Sequence, residues 1–340
     1  MKCCANCIGD KGLRKNIFPT LATETRQCEY CLSENVLVLD PPQLADIFGP
    51  LINIYEESDD GKLLVDLLRE DWGMFDHPRM DEHRAKNLLA DILDDGQIVR
   101  RTFLPLAIYQ TDTLDKWEKL REELMFGNRF FPASEINRDR LVDLLAYLKL
   151  DPDEIPTRWH RARLQGQEAI FPIERMGAPP KRFASHGRAN PAGIPYLYMA
   201  SNERTAISET RPHTGELACV ADFTIPDDLS IADLRNPRRS VSPFVIGDEA
   251  QIGLMRGDID FLARLGEELT RPVLPQSAAI DYVPSQYLCE LIKKAGYDGV
   301  MYRSSVGDGM NLALFNPDRA NPGTVVQRLV TSVQVEIGNA

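Results

Sequence analysis

The stretch GRANPAGIPYLYMASNERTAISETRP, residues 187–212, presents Arg188, Tyr198 and Glu209 in one continuous unit. An arginine fork suits phosphate or carboxylate groups, a tyrosine offers an aromatic face with a polar tip, and a carboxylate can oppose a developing positive charge or take a proton. The run IPYLYMA (194–200) reads as a strand, and Ser201 is placed to cap a short helix. Pro212 ends that helix by disfavouring helical geometry at Arg211. Thr205 and Glu209 then share one helical face. Tyr198 and Glu209, the latter expected to be buried, border a cleft that Arg188 approaches from the preceding loop. The competing reading is a surface ion pair and a core aromatic.

A second constellation is AGYDGVMYRSSVGDGMNLALFNP (295–317), read as a helix end, strand, Ser304–Ser305 pair, Gly-rich turn and strand. Hydroxyls at a strand end beside a tight turn suit a ligand, although Ser, Gly and Asp also dominate turns for conformational reasons alone. In HRARL (160–164), Arg161 and Arg163 are candidates for a phosphate contact or, alternatively, for a salt bridge on an edge strand. His186 and His213 flank the first motif and are read as solvated.

Seven cysteines occupy positions 3, 4, 7, 28, 31, 219 and 289. The odd count and the crowding at the N-terminus argue against a disulfide framework. Cys4-x-x-Cys7, twenty residues, then Cys28-x-x-Cys31 has the spacing of a four-thiolate structural zinc site. Free thiols or a redox pair are the alternatives, with Cys3 as a substitute ligand. Cys219 and Cys289 lie in apolar runs and are assigned to the core.

Stepping outward, 340 residues with 43% hydrophobic and 26% charged side chains make a globular chain with room for two cores. No apolar run reaches 18 residues and the N-terminus lacks an apolar signal core, so a cytoplasmic protein without membrane contact is expected. A net charge of −12 disfavours nucleic-acid binding. Residues 161–211 nevertheless hold eight basic against four acidic side chains, which draws a small anion there.

Residues 1–35 are expected to form the zinc knuckle. Helical periodicity in PPQLADIFGPLINIYEE, KLLVDLLREDW, RAKNLLADILDD, DTLDKWEKLREELMFGN and NRDRLVDLLAYLKL makes 36–150 an all-α domain. DPDEIPTRW (151–159) reads as a linker. Beyond it, short strands (IPYLYMA, ELACVADFTI, LSIADL, YDGVMYRSS, NLALFNP, TSVQVEI) are interrupted by helices at 247–270 and 284–296, so the second half is α+β. No P-loop, dinucleotide fingerprint or nucleophile elbow is present.

The two motifs together resemble the RES domain family over 158–325, starting at WHRARLQGQ. That resemblance implies an ADP-ribosyltransferase-like fold and an NAD-consuming activity by hydrolysis or phosphorolysis, as the toxin of a toxin–antitoxin pair. Some members are protein ADP-ribosyltransferases, and a non-catalytic nucleotide-sensing module is the contrasting class. It implies Arg188, Tyr198, Glu209 and Ser304 as the catalytic set and Arg161, Arg163, Arg188, Tyr198 and Ser305 as NAD contacts. NAD is thus the substrate, with inorganic phosphate and an antitoxin or regulatory protein as further partners. The departure is GRAN where many family members carry GRWN, which affects packing around the nicotinamide. Cysteine pairs followed by helices are similar to HEPN-type companion modules, but no histidine has an arginine at the ribonuclease spacing. RMDEH (79–83) and RFASH (182–186) are too close, so the helical part is read as regulatory or partner-binding.

Overall fold

The computed structural model describes residues 1–166 and 169–334. They form two compact units, Met1–Asp115 with Asn236–Ala263, and Lys116–Arg235 with Arg264 onward. These units cut across the segments 1–35, 36–150 and 158–325 expected from the sequence.

In the first unit, strands β1 (Cys3–Cys4), β2 (Glu24–Arg26) and β3 (Val36–Leu39) make a sheet in the order β1-β3-β2. Strand β4 (Tyr55–Leu63) pairs antiparallel with β5 (Thr102–Pro105). The region 36–150 is therefore not all helix. Its charged β4 run, EESDDGK, has no helical apolar stripe, and β5 pairs with it on both sides of an irregularity, through Glu56 and Glu57 and again through Lys62. The helices Ala45–Ile52, Leu64–Trp72 and Glu82–Leu93 follow the expected periodicity and bury Phe48, Leu51, Leu68, Trp72, Leu88 and Leu89. Within this core, the Tyr55 hydroxyl donates to Asp71 Oδ2 at 2.8 Å, Trp72 Nε1 donates to that hydroxyl at 3.2 Å, and Arg256 Nε pairs with Asp71 at 3.0 Å. The buried acid is thus partnered through Oδ2, as burial demands.

The second unit is built on a seven-stranded mixed sheet. Its strands are β6 (Arg158–Leu164), β7 (Leu197–Ala200), β8 (Leu217–Thr224), β9 (Ile231–Asp233), β10 (Gly299–Arg303), β11 (Met310–Leu314) and β12 (Asn321–Leu329). The order is β12-β8-β6-β7-β11-β10-β9, antiparallel throughout except for the parallel β10–β9 pair. The HRARL strand is therefore interior, not an edge. The final strand precedes the expected TSVQVEI run. After a register shift between Pro322 and Val325, β12 stays paired with β8 until Leu329 meets Leu217, where β8 ends, and residues 331–334 form no strand. Residues 335–337 of that run lie outside the described residues.

One sheet face packs Trp159, Leu197, Met199, Cys219, Ala221, Phe223, Met301, Leu312 and Leu314 against Phe171 and Met176. Alternation along β7 and β11 turns the intervening Tyr198 and Asn311 away from this cluster. Among the described residues no helix is long and apolar enough to cross a membrane.

Candidate active site and metal centre

A cavity of about 440 Å³ opens in the second unit, lined by Arg161, Arg188, Tyr198, Glu209, Arg211, Tyr282, Ser305 and Asn311, among others. Its floor comes from β7 and β11, its walls from the loop before β7, the helix Glu203–Glu209 and the segment 273–282.

Glu209 sits on the last turn of its helix, exposed to the cavity, where a buried position was expected. Its Oε1 accepts hydrogen bonds from Ser304 Oγ at 2.7 Å and from Asn311 Nδ2 at 2.6 Å. No other hydrogen bond to Glu209 is present among the described residues. Two donors on one oxygen fix the carboxylate plane and leave Oε2 for a ligand. The helix is capped by Asn202, whose side chain accepts from Thr205 N at 2.8 Å, and not by Ser201. Ser201 instead accepts from Met310 N at 3.1 Å through its hydroxyl and so ties the helix start to β11. The Gly-rich turn then folds onto the helix. A Cβ on Gly309 would lie 2.3 Å from Thr205 Oγ1, so only glycine permits the approach that delivers Ser304 to Glu209.

Arg188 is aimed by backbone and ring contacts. Its Nη1 donates to the Arg271 carbonyl at 2.7 Å and its guanidinium lies 5.2 Å from the Tyr282 ring centroid. The loop carrying it is held by Ser285 Oγ donating to the Arg188 carbonyl at 2.6 Å and Gln286 Nε2 donating to the Gly187 carbonyl at 2.8 Å. Tyr198 ties the same loop from the sheet. Its hydroxyl donates to Asn190 Oδ1 at 2.7 Å and accepts from Ala189 N at 2.9 Å. Burial holds the Tyr198 phenol well above its usual range, so it stays a neutral donor. Gly187 is required here too, because a Cβ would meet Asn190 Oδ1 at 2.4 Å and Tyr198 Oη at 2.7 Å.

Strand β6 is paired with β7 at one residue pair only, His160 with Ala200. Arg161 Nη1 reaches the Tyr198 carbonyl at 2.9 Å, while its Nε is buried without a partner. Burial first, and Arg163 second, push the Arg161 guanidinium down to about 10. Arg163 is not brought into the cavity. It donates to the Arg175 carbonyl at 2.5 Å and lies 4.9 Å from the Phe171 ring centroid, so the strand carries it to a different neighbour. Among the described residues, neither arginine forms the salt bridge that was the alternative reading. Among the described residues, Arg161, Arg188 and Arg211 have no carboxylate partner, so the cavity presents three cations to an anionic ligand.

Sequence reasoning missed Asn311, Arg211 and Tyr282, and it set His186 aside although it lines the cavity with His160. Asn311 leads the apolar run NLALF on the face opposite Leu312 and Leu314, a signal in the two-residue period. Arg211 was seen only as the residue before a helix-ending proline. Its φ is +52°, the left-handed region, which costs a non-glycine residue about 1 kcal/mol. Tyr282 carries no local signal, since it reaches the cavity from the segment after the long helix Glu249–Thr270.

In the first unit, Cys4, Cys7, Cys28 and Cys31 are buried with all four sulfurs within 4.8 Å of one another. The Sγ–Sγ separations are 3.9 Å for Cys4–Cys7, 3.5 Å for Cys4–Cys31 and 3.3 Å for Cys7–Cys28. A tetrahedron with zinc–sulfur bonds of about 2.3 Å has edges of about 3.8 Å, so the donor set fits that ion. Hydrogen bonds from Cys4 and Cys7 hold the Cys28 thiol well below its usual range, while the hydrogen bond to Cys28 pushes Cys4 and Cys7 up, so the bare cluster favours a single thiolate. Cys3 is buried but stands outside this group, so it is not the substitute ligand. All described cysteines are free thiols.

A family model described as "RES domain" matches residues 155–331. No curated protein matches. Among solved structures, the crystal structure of the M. tuberculosis MbcT-MbcA toxin-antitoxin complex contains a chain with 14% sequence identity, a match covering 56% of this chain and 92% of that chain, and a TM-score of 0.32.

Proposed function

Because this chain belongs to the RES domain family, we propose that it cleaves NAD at the nicotinamide–ribose bond, by hydrolysis or phosphorolysis, as the toxin of a toxin–antitoxin or defence pair. The observation that carries this reading is the Glu209 carboxylate, fixed through one oxygen by Ser304 and Asn311 and facing a cavity with three acid-free arginines. The arginines suit a diphosphate and the carboxylate suits a ribosyl cation.

In this mechanism the C1–N bond breaks with its electron pair going to the pyridinium, so nicotinamide leaves neutral and needs no general acid. The ribosyl centre becomes oxocarbenium-like, as in glycoside cleavage. Glu209 Oε2 stabilises that charge and orients the entering water or phosphate. Arg188 holds the diphosphate through its fork. Arg161 supplies a second, half-buried cation. Tyr198 sets the Gly187–Asn190 loop and offers its ring edge to the nicotinamide, and Ser305 contacts the ribose or phosphate. Arg163 has no part in this scheme.

The four N-terminal thiolates hold one zinc ion as a structural clasp, and the helical segment serves regulation or binding of an antitoxin. The setting is the cytoplasm, where NAD is available. Incubating the protein with NAD and following nicotinamide release tests the reading, and product masses in phosphate buffer separate ADP-ribose from its 1″-phosphate. Absence of release with and without phosphate would refute it, while label from NAD on a macromolecule would redirect it to ADP-ribosyl transfer.

A further inference from the structure

We propose that Arg211 forms, with Arg188, a two-point clamp for the diphosphate of a dinucleotide, spaced by the backbone of Arg271–Val273. This inference rests on the reading of the cavity as an NAD site, and assigns a specificity role to a residue outside the motif arginine.

Three observations converge. The first is the shared scaffold. Arg188 Nη1 donates to the Arg271 carbonyl at 2.7 Å and Arg211 Nη2 donates to the Val273 carbonyl at 3.3 Å. These carbonyls are two residues apart, a span of at most about 7 Å, so both guanidinium groups are anchored to one short strap. Two cations anchored to one strap and lining one cavity suit two linked phosphates better than one carboxylate.

The strap itself is anchored. Val273 is buried, and Arg271 Nη2 donates to the Asp281 carbonyl at 2.8 Å. At the end of the helix leading into the strap, buried Glu268 accepts from Arg121 Nε at 2.8 Å and pairs with Arg264 at 3.1 Å. The carbonyls are therefore presented by a fixed segment.

Charge is the second observation. Carbonyl oxygens orient a guanidinium without neutralising it, and among the described residues neither Arg188 nor Arg211 meets a carboxylate. Both line the cavity and keep donors for a ligand.

The third is conformation. Residue 211 follows the helix Glu203–Glu209 and its C-cap Thr210, at the left-handed position where glycine is usual. Its amide donates to the Ser208 carbonyl at 2.9 Å, a bond any residue would make. The backbone thus gains nothing from an arginine there. The side chain is the reason for it.

The test is Arg211→Gly and Arg211→Lys in the full chain, with affinities for ADP-ribose and nicotinamide riboside measured by calorimetry, kinetics on NAD and thermal melting. Arg211→Gly suits the φ of this position, so melting should be unchanged or raised. ADP-ribose affinity should fall about ten- to a hundredfold, as for lost charged hydrogen bonds. KM for NAD should rise in parallel with kcat nearly constant. Nicotinamide riboside, which has no phosphate, should bind both proteins alike, and Arg211→Lys should be intermediate. Unchanged ADP-ribose affinity in Arg211→Gly overturns the clamp, as does a melting loss without an affinity change, which would make Arg211 a strap anchor only. Wild-type protein that binds ADP-ribose through Arg211 but releases no nicotinamide would overturn the proposed function and leave the clamp standing. A wild type that binds no ADP-ribose overturns the clamp.

Discussion

Ser304 Oγ lies 2.7 Å from Glu209 Oε1, joining two residues 95 apart in sequence beside the cavity that Glu209 lines. Asn311 Nδ2 meets the same oxygen at 2.6 Å, so one carboxylate oxygen is committed to the protein while the other has no hydrogen-bond donor among the described residues.

Replacing Glu209 by Gln keeps the size and removes the charge that opposes a ribosyl cation. Turnover should fall by about 10²-fold or more, with NAD affinity little changed. Single-turnover kinetics beside direct binding will separate the two quantities; near wild-type turnover from a folded variant would move the chemistry to another residue.

Asn311→Ala and Ser304→Ala should each lower kcat by about tenfold, because each removes one donor that orients the carboxylate. Each single variant leaves the other donor on Oε1. The double variant should therefore lose more than the product of the single losses, which a double-mutant cycle measures. Simple additivity would show that the two groups act separately.

Arg188→Lys tests the fork. An ammonium can still reach the Arg271 carbonyl or one phosphate oxygen, but not two in a plane, so KM for NAD should rise about tenfold or more. An unchanged KM would remove the diphosphate from Arg188.

For the cysteine cluster, metal analysis of the purified protein should give about one zinc per chain. A strong chelator should increase hydrogen exchange over β1, β2 and β3. Metal-free protein with unaltered exchange there would leave the four thiols as a packed cluster only.

Asp10 supplies a pH signature. Burial raises its carboxyl from 3.8 to about 6, against the opposing hydrogen bonds from Leu13 N at 2.8 Å and Ser242 Oγ at 2.8 Å. A raised folded value means that the native state holds the proton more tightly, so stability is highest below about pH 4 for this group and falls as pH rises toward 6. The loss amounts to up to about 3 kcal/mol. Asp10→Asn, which cannot ionise, should gain stability relative to the wild type over that window in denaturant titrations at stepped pH. A constant difference across the window would show that Asp10 does not titrate there.

How much of this was legible in the chain depends on how local the cause is. Leu64, Leu68 and Trp72 announce a helix because their spacing is set within one element. The helical readings that ended at YEE and began at KLL overlap the ends of β4, because a charged strand declares itself only through a partner, here β5 some forty residues later. The same distinction divides the site. Arg188, Tyr198 and Glu209 sit in one contiguous motif and could be read together, whereas Arg211 and Tyr282 acquire meaning only from the segment after residue 270, which no local pattern connects to them. Arg161 and Arg163 look equivalent two residues apart. One borders the cavity and the other rests on Phe171, a separation fixed by packing alone.

The carbonyl-hung arginines bear on how this protein would have to be handled. A guanidinium neutralised by an acid is indifferent to its buffer, but one held only by dipoles stays an ion exchanger. Phosphate would enter the assay twice, once as an attacking reagent and once as an occupant of the cradle meant for the dinucleotide. Raising it should first accelerate and then inhibit a phosphorolytic reaction, whereas a hydrolytic one should only slow. The shape of that one titration therefore distinguishes the two reactions before any product is weighed.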